Sequence, residues 1–260
     1  MRINYPKKSL GQHFLRDQNI CHKIVRSLDI DSKDTLLEIG PGQGALTKIV
    51  FSYDFHRIIA FEKDKKLVFS LKQEFPNLDL VNIDALKFRW EKLNSISCLK
   101  LFGNLPYNVA SPLLWDILSS VFSYKKAVFM VQKEVGERII AKPGTKTYGA
   151  LSVWLQSFAC PKLLFHVSPN VFYPPPKVWS SVLCFTPRED APIELKSKLS
   201  KVVKIFFQHR RKQVQKILKS YFNKNNINIE NFDLKQRPED FSPELFWLLT
   251  REICFRDKRG

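Results

Sequence analysis

Residues 35–44 read Thr35-Leu-Leu-Glu38-Ile-Gly40-Pro-Gly42-Gln-Gly44, an apolar run closed by an acid and followed by three glycines at alternate positions. The run has the length and composition of a strand buried on both faces, and the glycines let the chain turn sharply and approach a ligand with its backbone. A helix is predicted to open near Ala45. Comparable short runs recur at 57–61, 80–83, 100–102 and 127–131, with helices predicted near Lys65, Pro112 and Lys133. This alternation is the signature of strand-helix-strand units building a parallel sheet. Residues 85–98 carry the poorest helical periodicity of the intervening segments. Two further runs, 163–167 and 181–185, complete a seven-stranded sheet and are expected to pair as an antiparallel edge. The fold class is therefore α/β, a Rossmann-like seven-stranded sheet.

Outward from this core the pattern changes. Beyond Arg188, Leu195, Leu199, Val202, Val203 and Phe206 recur at helical spacing, and Val214, Ile217, Leu218 and Tyr221 do so again. Two domains are expected: an α/β domain over 1–188, to which the candidate cofactor-binding and catalytic residues belong, and a small all-helical domain over 189–260, to which its charge assigns RNA recognition. The chain of 260 residues carries 42 Lys and Arg against 25 Asp and Glu, a formal charge of +17. From residue 191 onward there are 16 basic and 8 acidic residues, so charge is densest in the helical part. Such a balance points to a polyanionic partner, with nucleic acid ahead of a membrane surface. The five cysteines are odd in number and form no Cys-x-x-Cys pair, which speaks against a disulfide framework and a zinc site. No metal is expected. Residues 1–15 are basic without an apolar stretch and no later run is long enough to span a bilayer, so a cytoplasmic protein is expected. His22, His56 and His166 show no metal-ligand spacing and are read as structural.

Four polar positions close successive strands: Gly40 beside Glu38, then Glu62, Asp84 and Asn104, at spacings of 22, 22 and 20 residues. In a doubly wound sheet these ends share one edge, where ligands bind. An isolated glycine run can be a mere tight turn, but this context favours a nucleoside-bearing cofactor. Glu62 is placed to accept from ribose hydroxyls and Asp84 from an adenine amine, and acids suit a cationic sulfonium donor. A nicotinamide dinucleotide is the weaker alternative, because its usual Gly-x-Gly-x-x-Gly would set the third glycine one position later.

Phe102-Gly-Asn104-Leu105-Pro106-Tyr107 supplies chemistry that cofactor binding does not require. The side-chain oxygen of Asn104 and the carbonyl of Leu105 are candidate acceptors for a target amine. Pro106 stiffens the loop and Tyr107 is a candidate stacking ring. Phe172 is read as the opposite aromatic face, against the default of an ordinary core phenylalanine. Lys7, Lys8 and Arg16 at one end, and Arg210, Arg211 and Lys212 at the other, are candidate clamps on RNA phosphates, against the alternative of a solvated surface.

The residues as a set resemble the ribosomal RNA adenine N6-dimethyltransferases, in particular the KsgA branch that acts on small-subunit RNA. The likeness rests on Lys8-Ser-Leu-Gly-Gln-His13-Phe-Leu15, Glu38 through Thr47, Asp84-Ala85, Gly103 through Asn108, Gln132-Lys-Glu-Val135 with Glu137-Arg138, and Tyr148-Gly149. It continues in Phe172 through Ser181, Phe207-x-x-Arg210-Arg-Lys212 and Arg237-Pro-Glu, and so covers nearly the whole chain. The resemblance implies S-adenosylmethionine as methyl donor, held by His13, Leu15, Gly40, Gly42, Glu62, Asp84, Ala85 and Asn104. It also implies dimethylation of two adjacent adenines in a hairpin near the 3′ end of small-subunit (16S) rRNA, on an assembling 30S subunit, by a monomer. His13 stands where many relatives have Asn, Ile83 where Gly often precedes the Asp, and Trp179 where an acid is frequent. The competing readings are an Erm-type resistance methyltransferase acting on large-subunit RNA and a ribosome assembly factor without catalysis.

Overall fold

Residues 11–222 and 232–256 are described by the computed structural model. They open with the two-residue strand β1 (Phe14–Leu15) and helix α1 (Gln18–Arg26), which the Asp17 side chain caps through the Ile20 N–H. Strand β2 (Thr35–Ile39), helix α2 (Ala45–Val50), β3 (Arg57–Glu62), α3 (Lys65–Glu74) and β4 (Asp79–Asn82) follow. Next come β5 (Leu99–Asn104), α4 (Ala110–Ser120), β6 (Tyr124–Gln132) and α5 (Lys133–Ile139). After α6 (Ala150–Phe158) the chain returns as β7 (Ala159–Val167), β8 (Phe172–Tyr173) and β9 (Ser180–Pro187).

Seven of these strands form one sheet in the order β4-β3-β2-β5-β6-β9-β7, and β1 pairs antiparallel with β8 in a separate ribbon. Strands β4, β3, β2, β5 and β6 run parallel, whereas β9 inserts between β6 and β7, antiparallel to β6. All five residues of β2 are buried, as expected of a central strand covered on both faces, while β4 at the edge is largely exposed. The chain winds outward from β2 through β3 to β4, then crosses to the other side of β2 to form β5. The carboxyl ends of β2 and β5 thus flank the switch point at which such sheets bind ligands.

Residues 85–98 form no α-helix. They fold as two 3₁₀ turns, Ala85–Lys87 and Trp90–Ser95. The Asp84 carboxylate caps the first turn through the Leu86 N–H, and Phe88 and Trp90 pack edge-on against each other and around Phe61. Anchoring two large rings on one neighbour favours short turns over a continuous helix.

The chain divides into two compact units, one of Met1–Gly136 with Cys160–Pro187 and one of Glu137–Ala159 with Arg188–Gly260. The expected boundary at 188 is where the second unit resumes, but Glu137–Ala159, expected in the first domain, belongs to the second. The reason is packing: α6 lies against α7 (Lys196–Gln208) and α9 (Pro243–Arg256), with the Trp247 indole donating to the Ser157 hydroxyl at 2.8 Å. Tyr148, fully buried, donates its hydroxyl hydrogen to the Phe241 carbonyl at 2.9 Å. Leu199, Val202, Val203 and Phe206 of α7 and Val214, Ile217 and Leu218 of α8 (Val214–Tyr221) are buried as their spacing predicts, while Tyr221 is exposed.

Candidate active site

The loop after β2 is held open by backbone conformation. Gly40, Gly42 and Gly44 all have positive φ, and a Cβ on Gly44 would lie 2.7 Å from the Phe75 ring as well. The turn therefore presents bare backbone at Gly40 and Gly42, between Pro41 and Gln43, where it borders an open cleft. With its solvent-facing mouth included, the cleft has an empty volume of about 1190 Å³. His13, Leu15, Gly40, Gly42, Glu62, Asp84, Ala85, Asn104, Leu105, Pro106 and Tyr107 all line it, so the structure brings together the expected cofactor residues and the strand-end loop. This convergence follows from the sheet order.

Three acids face this space in different states. Glu38 is 1 % exposed and accepts from the Thr47 hydroxyl at 2.6 Å. Burial pushes its carboxyl up to about 8, against the pull of the Thr47 hydrogen bond and with a further push from Glu62. Burial likewise raises Glu62, which is held back by the Asp64 N–H at 2.8 Å and the Gly42 N–H at 3.2 Å. Asp84 goes the other way: its hydrogen-bonded ion pair with Lys63, at 2.8 Å, lowers it, and the Leu86 N–H at 3.1 Å assists. Sequence reasoning missed Lys63, and its only signal was adjacency to the strand-end acid Glu62.

At the end of β5 the Asn104 amide nitrogen donates to the His13 carbonyl at 3.0 Å. A carbonyl only accepts, so this bond fixes the amide orientation and turns Oδ1 away from His13. Neither Asn104 Oδ1 nor the Leu105 carbonyl accepts a hydrogen bond among the described residues, although the Leu105 N–H is used by Met130 at 3.1 Å. Two uncommitted acceptors therefore sit on consecutive residues at the cleft. Tyr107 shares a hydrogen bond with the Ser180 hydroxyl at 2.6 Å and stacks on His13, with ring centroids 5.4 Å apart. Burial raises its hydroxyl pKa, so the ring stays neutral. His13 Nδ1 donates in turn to the Pro174 carbonyl at 2.7 Å, which ties β1 to the segment after β8.

Other sequence expectations fall elsewhere. Phe172 is 4 % exposed, packs within the main core and does not line the cleft. It is in register across the ribbon with Leu15, which does line the cleft; the neighbouring Tyr173 is 38 % exposed. Arg16 is exposed, with its guanidinium 3.9 Å above the Tyr173 ring centroid. Lys7 and Lys8 lie outside the described residues. Arg210 pairs with Glu239 and donates to the carbonyls of Thr145 and Lys146, so it is engaged within its own unit. Arg211 and Lys212 are exposed beside Lys216, Lys235 and Arg237 around a shallow polar hollow. Among the described residues no group of His, Cys, Asp and Glu is arranged to hold a metal ion, and no helix is long and apolar enough to cross a membrane.

Comparison with known proteins adds an independent line. A family model described as ribosomal RNA adenine dimethylase matches residues 3–253. The ribosomal RNA small subunit methyltransferase A of Nitratidesulfovibrio vulgaris is 47 % identical over 256 residues, covering 95 % of this chain and 96 % of the relative. The protein of that name from Lawsonia intracellularis is 46 % identical over 260 residues, covering 96 % and 95 %. Among solved structures, a dimethyladenosine transferase from Plasmodium falciparum superposes with a TM-score of 0.79 at 24 % identity, covering 94 % of this chain and 98 % of that one. The 23S rRNA methyltransferase ErmE does so with 0.67 at 20 % identity, covering 92 % and 99 %. At these identities the two superpositions speak for the fold.

Proposed function

From a chain that belongs to the ribosomal RNA adenine dimethylase family, we infer an enzyme that dimethylates the N6 amines of two adjacent adenines in a hairpin near the 3′ end of small-subunit (16S) rRNA, with S-adenosylmethionine as donor. The observation that carries the chemistry is the pair of uncommitted acceptors, Asn104 Oδ1 and the Leu105 carbonyl. An adenine amine is a poor nucleophile because its lone pair is delocalised into the ring. Two acceptors drawing on its hydrogens favour the tetrahedral geometry in which the lone pair is free, and they stabilise the positive charge that grows on nitrogen. The His13 carbonyl keeps Oδ1 pointed for this role, Pro106 limits the loop, and Tyr107, steadied by Ser180, offers a ring for the extruded base.

The residues present fit the donor. Gly40 and Gly42 give close backbone approach, Glu62 and Asp84 offer carboxylates to hydroxyl and amine groups, and Ala85, Leu15 and His13 complete the walls. When bound, S-adenosylmethionine supplies an electrophilic methyl group on a sulfonium centre. No side chain need act as a strong base, because the amine's acidity rises once it is alkylated and its proton can leave to water. Arg16, Arg211 and Lys212, with Lys7 and Lys8, are assigned to RNA phosphates, and the helical unit to recognition of the assembling 30S subunit. The protein works as a cytoplasmic monomer in this reading.

The similarity to curated small-subunit enzymes over nearly the full length favours the small subunit over the large one. Incubation with methyl-labelled S-adenosylmethionine and, separately, unmethylated small subunits and large-subunit RNA tests this choice. Labelled dimethyladenosine from the small subunit alone is expected. Label confined to large-subunit RNA would reverse the assignment, and tight binding without label would make the protein an assembly factor.

A further inference from the structure

The segment from Phe172 to Ser180 is fastened to the cleft at two points, through Pro174 to His13 and through Ser180 to Tyr107. Its position follows from the sheet as well. Ser180 begins β9 opposite Gln132 at the carboxyl end of β6, Asn104 ends β5 opposite Met130, and β5 and β6 are parallel. The amino end of antiparallel β9 therefore lies on the same edge of the sheet as the amine acceptors. Trp179, whose carbonyl accepts from the Lys133 N–H at 2.8 Å, stands at that edge and is 51 % exposed. The other four tryptophans are buried or half-buried. Tyr173 at the other end of the segment is also exposed and carries the Arg16 guanidinium on its ring, and Lys177 between them is exposed.

Exposed aromatic faces interleaved with cations, beside the place where an unpaired base must enter, are the chemistry of a single-stranded nucleic-acid platform. We propose that Trp179 and the Arg16–Tyr173 stack bind the bases flanking the target adenine, forming a subsite that holds unpaired RNA across the mouth of the cleft. This rests on the reading of the cleft as an adenine N6 methyl-transfer site. The faces of Trp179 and Tyr173 carry the stacking, while Arg16 and Lys177 attract the backbone.

The test is affinity for a short unpaired oligoadenylate, read by fluorescence anisotropy on the full-length protein, alongside the KM and kcat of methyl transfer to small subunits. Trp179→Ala and Tyr173→Ala should each weaken oligonucleotide binding and raise the RNA KM about tenfold, leaving kcat and S-adenosylmethionine affinity unchanged, and Trp179→Phe should restore binding. Trp179→Lys separates stacking from charge: loss of affinity supports the platform, whereas a gain means the surface acts through charge alone and overturns it. Unchanged affinity and KM in the alanine variants, with wild-type transfer intact, would overturn the platform and leave the enzymatic reading standing. If the wild-type protein methylates no RNA yet the variants still lose affinity, the platform survives and the enzymatic reading fails.

Discussion

At the residue scale the proposed chemistry turns on a single side-chain amide. Asn104 spends its nitrogen on the His13 carbonyl and leaves its oxygen uncommitted; if that oxygen accepts from the amine as proposed, Asn104→Ala should leave S-adenosylmethionine binding largely intact while lowering the transfer rate at least 100-fold. Single-turnover transfer of labelled methyl checks this, and retained transfer would remove Asn104 from the acceptor role. Glu38 offers a second test, on stability. Its folded carboxyl titrates near 8 and its unfolded one near 4.5. Between those values the unfolded chain gives up the proton that the folded chain keeps, so the Glu38 contribution is complete below about 4.5 and is lost as pH rises through 8. Glu38→Gln can still accept from Thr47 but has no charge to bury. It should match the wild type in acid and exceed it above pH 8 by a few kcal/mol, on the order set by the shift. Urea denaturation across that range gives the answer, and parallel pH dependences would show that Glu38 is not buried as an acid.

Among the elements, the contact between β2 and β5 bears most on the site, because their ends carry Gly40 and Asn104. A Cβ on Gly103 would lie 2.3 Å from the Ile39 carbonyl oxygen, which belongs to the neighbouring strand and has little room to yield. Gly103→Ala should therefore cost about 2–3 kcal/mol in chemical denaturation and misplace Asn104, lowering transfer even in the folded fraction. The strands, and the convergence of their ends, were legible in the sequence because β-branched and aliphatic runs closed by a polar residue recur at near-constant spacing. What was not legible depends on contacts between distant segments. The run expected at 100–102 extends to Leu99–Asn104, and its Lys100 is carried in the interior by an ion pair with Asp34 at 2.6 Å that no local pattern signals. Phe172 reads as one face of a base sandwich; its 4 % exposure comes from packing in the core cluster, a contact between distant segments that no local pattern carries. Lys63 had only its adjacency to Glu62 as a signal, and nothing local ties residue 63 to residue 84, with which it pairs.

For the whole molecule the open question is how a charge of +17 is divided between scaffold and RNA. The sequence presents Arg210, Arg211 and Lys212 as one basic run, but their surroundings separate them. Arg210 serves Glu239 and two backbone carbonyls, so Arg210→Ala leaves a carboxylate and two acceptors without their donor and should act on folding. Arg211 and Lys212 are exposed beside three further cations and are the ones available to phosphates. Binding that displaces counterions weakens with salt in proportion to the phosphates neutralised, by roughly 0.7 in the logarithmic slope per contact on single strands and 0.9 on duplex. Replacing Arg211 and Lys212 by Ala should thus flatten the salt dependence of RNA affinity by about 1.4 to 1.8 and leave the melting temperature nearly unchanged. Arg210→Ala should do the reverse, lowering the melting temperature while keeping the wild-type slope in whatever fraction stays folded. If all three replacements flatten the slope equally, Arg210 trades its internal partners for phosphate when RNA binds, and the division between scaffold and interface drawn from the free protein does not hold.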